Sequence, residues 1–140
     1  LIANTLPIRF LIVDDDEDDQ EILSNAITNS IFIDSICSFA ADGEEALANL
    51  HGGLQPDYIF LDLNMPRMDG MQCLEEIRKS TALKDIPVVI YTTSTDEATR
   101  LIAMRLGATA FISKPTRIGD LVISLNDFFT ANKPVQTHQD

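Results

Sequence analysis

Carboxylates, hydroxyls and one ammonium stand directly after short apolar runs in this 140-residue chain. Phe10-Leu11-Ile12-Val13 leads into Asp14 and Asp15, and Tyr58-Ile59-Phe60-Leu61 leads into Asp62. Val88-Val89-Ile90-Tyr91 leads into Thr92 and Thr93, and Phe111-Ile112-Ser113 into Lys114. If these runs are strands of one parallel sheet, three carboxylates, a hydroxyl and an ammonium converge on one rim. Two carboxylates about 4 Å apart repel by roughly 4 kcal/mol at an effective dielectric of about 20, and a third adds to the cost. They coexist only with shared protons or a cation. Hard oxygen donors without a nearby imidazole or thiolate suit Mg²⁺, which retains open positions for phosphate oxygens. The lysine and threonine opposite the acids would serve as further phosphate ligands, so the set is suited to holding phosphoryl oxygens between a metal and an ammonium.

The elements that must position these residues are legible as two alternating patterns. β-rich runs fall at 8–13, 33–39, 58–61, 88–91 and 109–112, and three of them are nearly continuous apolar blocks, as in strands covered on both faces. Helical stripes lie between them: Ile22, Leu23, Ala26 and Ile27; Ala46, Leu47 and Leu50; Met71, Leu74 and Ile77; Ala98, Leu101, Ile102 and Leu106; Ile118, Leu121, Val122, Leu125, Phe128 and Phe129. Asp42, Asp69 and the stretch 94–96 offer N-caps, Gly107 a left-handed C-cap, and Pro87 opens the fourth strand. Strict βα alternation predicts an α/β fold, an open, doubly wound five-stranded parallel sheet with helices on both sides. In such a sheet ligands bind beyond the carboxyl ends of the strands, where the polar residues stand. The expected organisation is an extension over 1–6, one domain over 7–130 and a polar tail over 131–140.

Ten Lys and Arg oppose 22 Asp and Glu, for a net charge of −12. The imbalance is confined to residues 1–80, with 16 acids and 4 bases, against 6 of each over 81–140. A chain this acidic is poorly suited to direct nucleic-acid binding or to an anionic membrane surface. Cys37 and Cys73 lack CxxC spacing and read as small buried hydrophobes, and His51 and His138 form no cluster. No apolar run reaches 18 residues and no leader pattern is present, so a soluble, cytoplasmic protein is expected.

The segments Val13-Asp14-Asp15, Leu61-Asp62-Leu63-Asn64-Met65-Pro66-Arg67-Met68-Asp69-Gly70, Tyr91-Thr92-Thr93-Ser94 and Ser113-Lys114-Pro115 together resemble the receiver domain of two-component response regulators. The resemblance extends over about residues 7–130 and implies the flavodoxin-like strand order 2-1-3-4-5. It implies that Asp62 accepts a phosphoryl group from a histidine kinase phosphohistidine, forming an aspartyl phosphate. By the same resemblance Asp15, Asp62 and the main-chain carbonyl of Asn64 bind Mg²⁺, and Asp14 acts through a metal-bound water. Lys114 pairs with the carboxylate and then with the phosphoryl group, Thr92 swings its hydroxyl to another phosphoryl oxygen, and Phe111 takes the aromatic switch position. The Lys114–Pro115 bond matches one that is usually cis in the family.

A stand-alone receiver in a phosphorelay is therefore expected, a phosphoprotein that catalyses only its own phosphorylation and dephosphorylation and is not otherwise an enzyme. Its expected partners are a sensor histidine kinase or phosphotransfer protein and a downstream protein engaged through the fourth helix, fifth strand and fifth helix. No direct nucleic-acid or membrane contact is expected, and the chain is expected to be a monomer or weak homodimer. Two alternatives stand beside this reading: a Mg²⁺-dependent phosphohydrolase with its aspartate nucleophile at Asp14, and a degenerate receiver that binds partners without phosphorylation. An EF-hand register through Asp14, Asp16 and Asp18 fails, because Asp19 and Asn25 stand where Gly and Glu are required. Glu17, Asp18 and Asp19 read as a solvated helix start. Thr93, Asn64 and Ser94 occupy positions that influence access to, and lifetime of, the phosphorylated state in the family.

Overall fold

A computed structural model describes residues 6–30 and 34–132. Five strands alternate with five helices: β1 (Ile8–Val13), α1 (Glu17–Thr28), β2 (Ser35–Ala40), α2 (Gly43–His51), β3 (Tyr58–Leu61), α3 (Gly70–Lys79), β4 (Val88–Thr92), α4 (Glu97–Arg105), β5 (Ala110–Ser113) and α5 (Ile118–Ala131). All pairings are parallel and the strand order is 2-1-3-4-5. The expected second strand begins at Ile33, which lies outside the described residues, as does most of the expected extension and tail. At the C-terminal side, α5 continues to Ala131, and the Asn132 carbonyl accepts a hydrogen bond from the Tyr58 hydroxyl at 2.7 Å.

The period of two along each strand divides the core into halves. Leu11, Val13, Ile59, Leu61, Val88 and Ile90 face α2, α3 and α4, where Leu50, Leu74, Ile77 and Ala103 cover them. Phe10, Ile12, Tyr58, Phe60, Val89 and Tyr91 face the opposite way onto Leu23 and Ile27 of α1 and Leu121, Leu125 and Phe129 of α5. Burial on both faces accounts for the unbroken apolar runs of β1, β3 and β4. β2 is an edge strand, and its Ile36 and Phe39 are exposed. Four helices start on an aspartate whose carboxylate accepts backbone amides of the first turn: Asp16, Asp42, Asp69 and Asp96. Each cap satisfies a donor the helix itself leaves free, and places negative charge at the positive end of the helix dipole. Gly107 follows the Leu106 C-cap of α4 with a φ of 106°, the left-handed conformation in which a glycine ends a helix.

The Lys114–Pro115 bond departs from expectation. It is trans, like every peptide bond among the described residues. Trans is the isomer that an X–Pro amide favours by roughly 0.5–1 kcal/mol, and Lys114 meets its carboxylate partners with the bond in that form.

Burial also raises both tyrosines of the chain, Tyr58 and Tyr91, to about 12. A phenol that ionises later in the folded state than in the unfolded one leaves the folded state holding more protons above pH ~10. Its contribution to stability is complete below pH ~10 and is lost as pH rises toward 12. Ultraviolet titration of the folded chain is expected to show little tyrosinate at pH 10.5, whereas the urea-unfolded chain titrates near 10. Tyrosinate absorbance at pH 10 in folded protein would contradict the packing.

Candidate functional site

The strand ends bring the polar residues together through the backbone ladder. The Asp62 amide donates to the Val13 carbonyl, the Asp14 amide to Ala40 and the Lys114 amide to Thr92. Each residue is therefore one step past its strand, and their side chains share the carboxyl rim. Lys114 Nζ lies 2.8 Å from Asp14 Oδ2, 2.9 Å from Asp19 Oδ2 and 3.2 Å from Asp62 Oδ2. Its side chain is only 10% exposed, so the ammonium sheds most of its water and spends its three donors on carboxylates. The remaining oxygens of the buried acids are also used. Asp14 Oδ1 accepts from the Asp16 amide at 3.0 Å, and Asp62 Oδ1 from the Asn64 amide at 3.3 Å.

One cation does not balance this group. Asp15 joins Asp14 and Asp62 in a cluster whose carboxylate oxygens lie within 4.8 Å of one another. Burial pushes the Asp14 carboxyl above its ordinary value, against the pull of Lys114 and with the neighbouring Asp62 adding to the rise. Burial alone would lower the Lys114 ammonium, but its hydrogen bonds to Asp14 and Asp19 outweigh that and hold it above its ordinary value. The residues fit a hard divalent cation: three carboxylates, one of them exposed to solvent, and a cleft of about 440 Å³ that Asp15 and Asn64 line together. A further polar atom waits at the same rim. Thr92 Oγ1 is buried and has no hydrogen-bond partner among the described residues, so its hydroxyl is free to pair with a group at the rim.

Asp19 corrects the expectation of a solvated helix start. Asp16 caps α1, so Asp19 is its third residue, and the first turn swings its carboxylate back over the rim onto Lys114. Counting from the Asp16 cap puts Asp19 at the third helical position, but the lysine it meets stands 95 positions along the chain. Tyr91 was missed as well. Its ring lies 5.3 Å below Lys114 Nζ and forms the apolar floor of the ammonium's seat. Phe111, by contrast, is half-buried and packs against the α2–α4 half of the core.

Gly70 holds the loop that follows Asp62 close to the end of β3. Its amide donates to the Leu63 carbonyl at 3.1 Å, and a Cβ there would collide with the Asp62 carbonyl oxygen and come within 2.7 Å of Leu63 Cα. Gly70→Ala is expected to lower stability by roughly 1–3 kcal/mol in urea denaturation, because backbone has to move. A change within ±0.5 kcal/mol would show that the loop is loosely held.

The family model for the response regulator receiver domain matches residues 10–126. The chain belongs to this family. A probable transcriptional regulator, ycf27, from Guillardia theta is 37% identical over 107 residues, covering 76% of this chain and 39% of its own length. The response regulator MprA of Mycobacterium sp. (strain KMS) is 29% identical over 129 residues, 92% of this chain and 54% of its own. The chain thus spans about half or less of these curated relatives. Among solved structures, the phosphorylated cyanobacterial phytochrome response regulator RcpA superposes with a TM-score of 0.80 at 29% identity, covering 89% of this chain and 92% of its own. The Mn²⁺-bound form of response regulator Rcp1 gives 0.79 at 28% identity, covering 96% and 100%. The carboxylates of Asp14, Asp15 and Asp62 fit a divalent metal site. No helix among the described residues is long and apolar enough to cross a membrane.

Proposed function

We propose that this receiver domain stores a signal as a phosphoryl group on Asp62. The observation that carries the reading is the seat of Asp62: its carboxylate lies against Lys114, beside Asp14 and Asp15, on the rim where Thr92 Oγ1 is unpartnered. A carboxylate is a weak nucleophile, so transfer depends on alignment and charge neutralisation. The P–N bond of a donor phosphohistidine breaks, its electron pair returns to the imidazole, and an Asp62 oxygen forms the new bond to phosphorus. Lys114 exchanges its hydrogen bond to Asp62 Oδ2 for one to a phosphoryl oxygen, while Asp14 and Asp19 keep the ammonium in place. Thr92 offers its free hydroxyl to a second oxygen.

Asp15, Asp62, the Asn64 carbonyl and, through a water, Asp14 would hold Mg²⁺. When bound, the ion supplies positive charge to the phosphoryl oxygens and relieves the repulsion among the acids. The Mn²⁺-bound Rcp1 supports a divalent ion in such a pocket. As Thr92 turns toward the phosphoryl group, Phe111 rotates into the space it leaves, and the α4–β5–α5 surface repacks. That surface, with Leu101, Ile102, Ile118 and Ile123 exposed, is the face offered to a downstream protein. The donor is a histidine kinase or phosphotransfer protein, and the chain acts in the cytoplasm as a monomer or weak homodimer, performing only self-phosphorylation and autodephosphorylation. Family membership leaves the phosphohydrolase reading without support, and the intact Lys114–Asp62 pair argues against a degenerate receiver.

Incubation with acetyl phosphate and Mg²⁺, followed by intact-mass measurement, is expected to show one added phosphoryl group that hydroxylamine removes. No incorporation would leave a phosphorylation-independent binding module; steady release of phosphate through Asp14 would indicate a hydrolase.

A further inference from the structure

The loop between β3 and α3 carries a backbone outlier that the phosphoryl chemistry does not use. Arg67 has a φ of 62°, in the left-handed region that a long side chain rarely adopts. Such a conformation persists only where the surroundings over-determine it. Here the surroundings are the start of α2. Arg67 Nη1 donates to Asp42 Oδ2 at 3.0 Å, and Asp42 is nearly buried, with a side chain 6% exposed. The other oxygen, Asp42 Oδ1, caps α2 by accepting from the Glu45 amide at 2.8 Å. One residue further along each segment, the Gly43 amide donates to the Met68 carbonyl at 3.2 Å. A Cβ at Gly43 would lie 2.9 Å from the Met68 carbonyl oxygen, so a glycine is needed for the two backbones to come this close.

These contacts bracket a short stretch. The Asn64 amide is tied to Asp62 Oδ1 at one end, and Arg67 and Met68 are tied to α2 at the other. Asn64, Met65 and Pro66 hang between the two anchors and line the cleft with Asp15. We infer that Arg67 and Asp42 are positioning residues that set the Asn64 carbonyl for the divalent ion, and that their ion pair tunes affinity and selectivity for Mg²⁺. The inference rests on the reading that this carbonyl is a ligand. Mg²⁺ demands near-ideal octahedral geometry, whereas Ca²⁺ accepts variable ligand number and direction. A loosened carbonyl therefore penalises Mg²⁺ more than Ca²⁺.

Calorimetric titration of the whole chain with MgCl₂ and with CaCl₂ tests this. Asp42→Asn retains a good helix cap but removes the charge, and Arg67→Asn retains a residue that tolerates the left-handed region but cannot span the gap. Each is expected to weaken Mg²⁺ binding about tenfold, as loss of an outer partner of a metal ligand does, and to weaken Ca²⁺ binding about threefold or less. The double variant is expected to lose no more than either single one, since both break the same contact. Arg67→Lys, which keeps the cation, should recover part of the affinity. Unchanged Mg²⁺ affinity, equal losses for both ions, or additive losses would overturn the inference. Failure of the wild-type chain to bind Mg²⁺ would instead overturn the reading of the metal site. Should Asp42→Asn not fold, the exposed Arg67 variants decide the question alone.

Discussion

Asp62→Asn is expected to abolish phosphoryl incorporation from acetyl phosphate while leaving the fold intact. The amide has the shape of the carboxylate and still accepts from the Asn64 amide, a contact of 3.3 Å in the wild-type chain. It has no anionic oxygen to form the acyl phosphate, so the loss is complete and not a matter of rate. The neighbouring acids do not substitute. Asp14 is held by Lys114 and the Asp16 amide and is almost wholly buried, and Asp15 stands at the exposed side of the cluster without the ammonium. Intact mass after incubation, with circular dichroism as the fold control, checks this. A labile phosphoryl group on folded Asp62→Asn protein would move the phosphoacceptor elsewhere and sink the proposed function.

Lys114→Met should show the second large effect, in two readouts. Methionine preserves an apolar stem over Tyr91 and removes the charge. Phosphorylation is expected to slow by about 10²–10³-fold, the usual consequence of deleting one pre-positioned donor to a charged reacting group. In EDTA, the variant also leaves Asp14 and Asp62 buried without their cation, at 2% and 8% side-chain exposure. Breaking a buried pair from one side costs about 3–5 kcal/mol, and urea denaturation at neutral pH should register a loss of that order. The pH dependence has a definite sign. Asp14 already sits above its ordinary value because of burial, and losing the ammonium raises it further. The folded state then holds more protons than the unfolded one over the interval above the ordinary carboxylate value, so the variant regains stability as pH falls into that interval. Divalent cation at neutral pH should restore part of it too. Wild-type stability and wild-type rate together would mean that the lysine is an ordinary surface residue.

The order and type of the elements, and the four strand-end signatures, were legible in the chain because they obey local rules. Strands buried on both faces must be apolar throughout, helices under a sheet must carry a stripe, and a helix start needs a cap; Asp42 and Asp69 meet the last requirement where the reading placed them. Parallel βα units then leave the strand ends on one side, which places Asp14, Asp62, Thr92 and Lys114 on a common rim. What local rules could not supply was side-chain reach. Asp19 belongs to Lys114 because the first turn of α1 folds back across the rim, Tyr91 floors that lysine because β4 lies beside β5, and Arg67 meets Asp42 across 25 positions of chain. Each of these is a contact between segments whose separation in sequence carries no periodic signature, and it comes into being when the packed sheet fixes how far apart they stand.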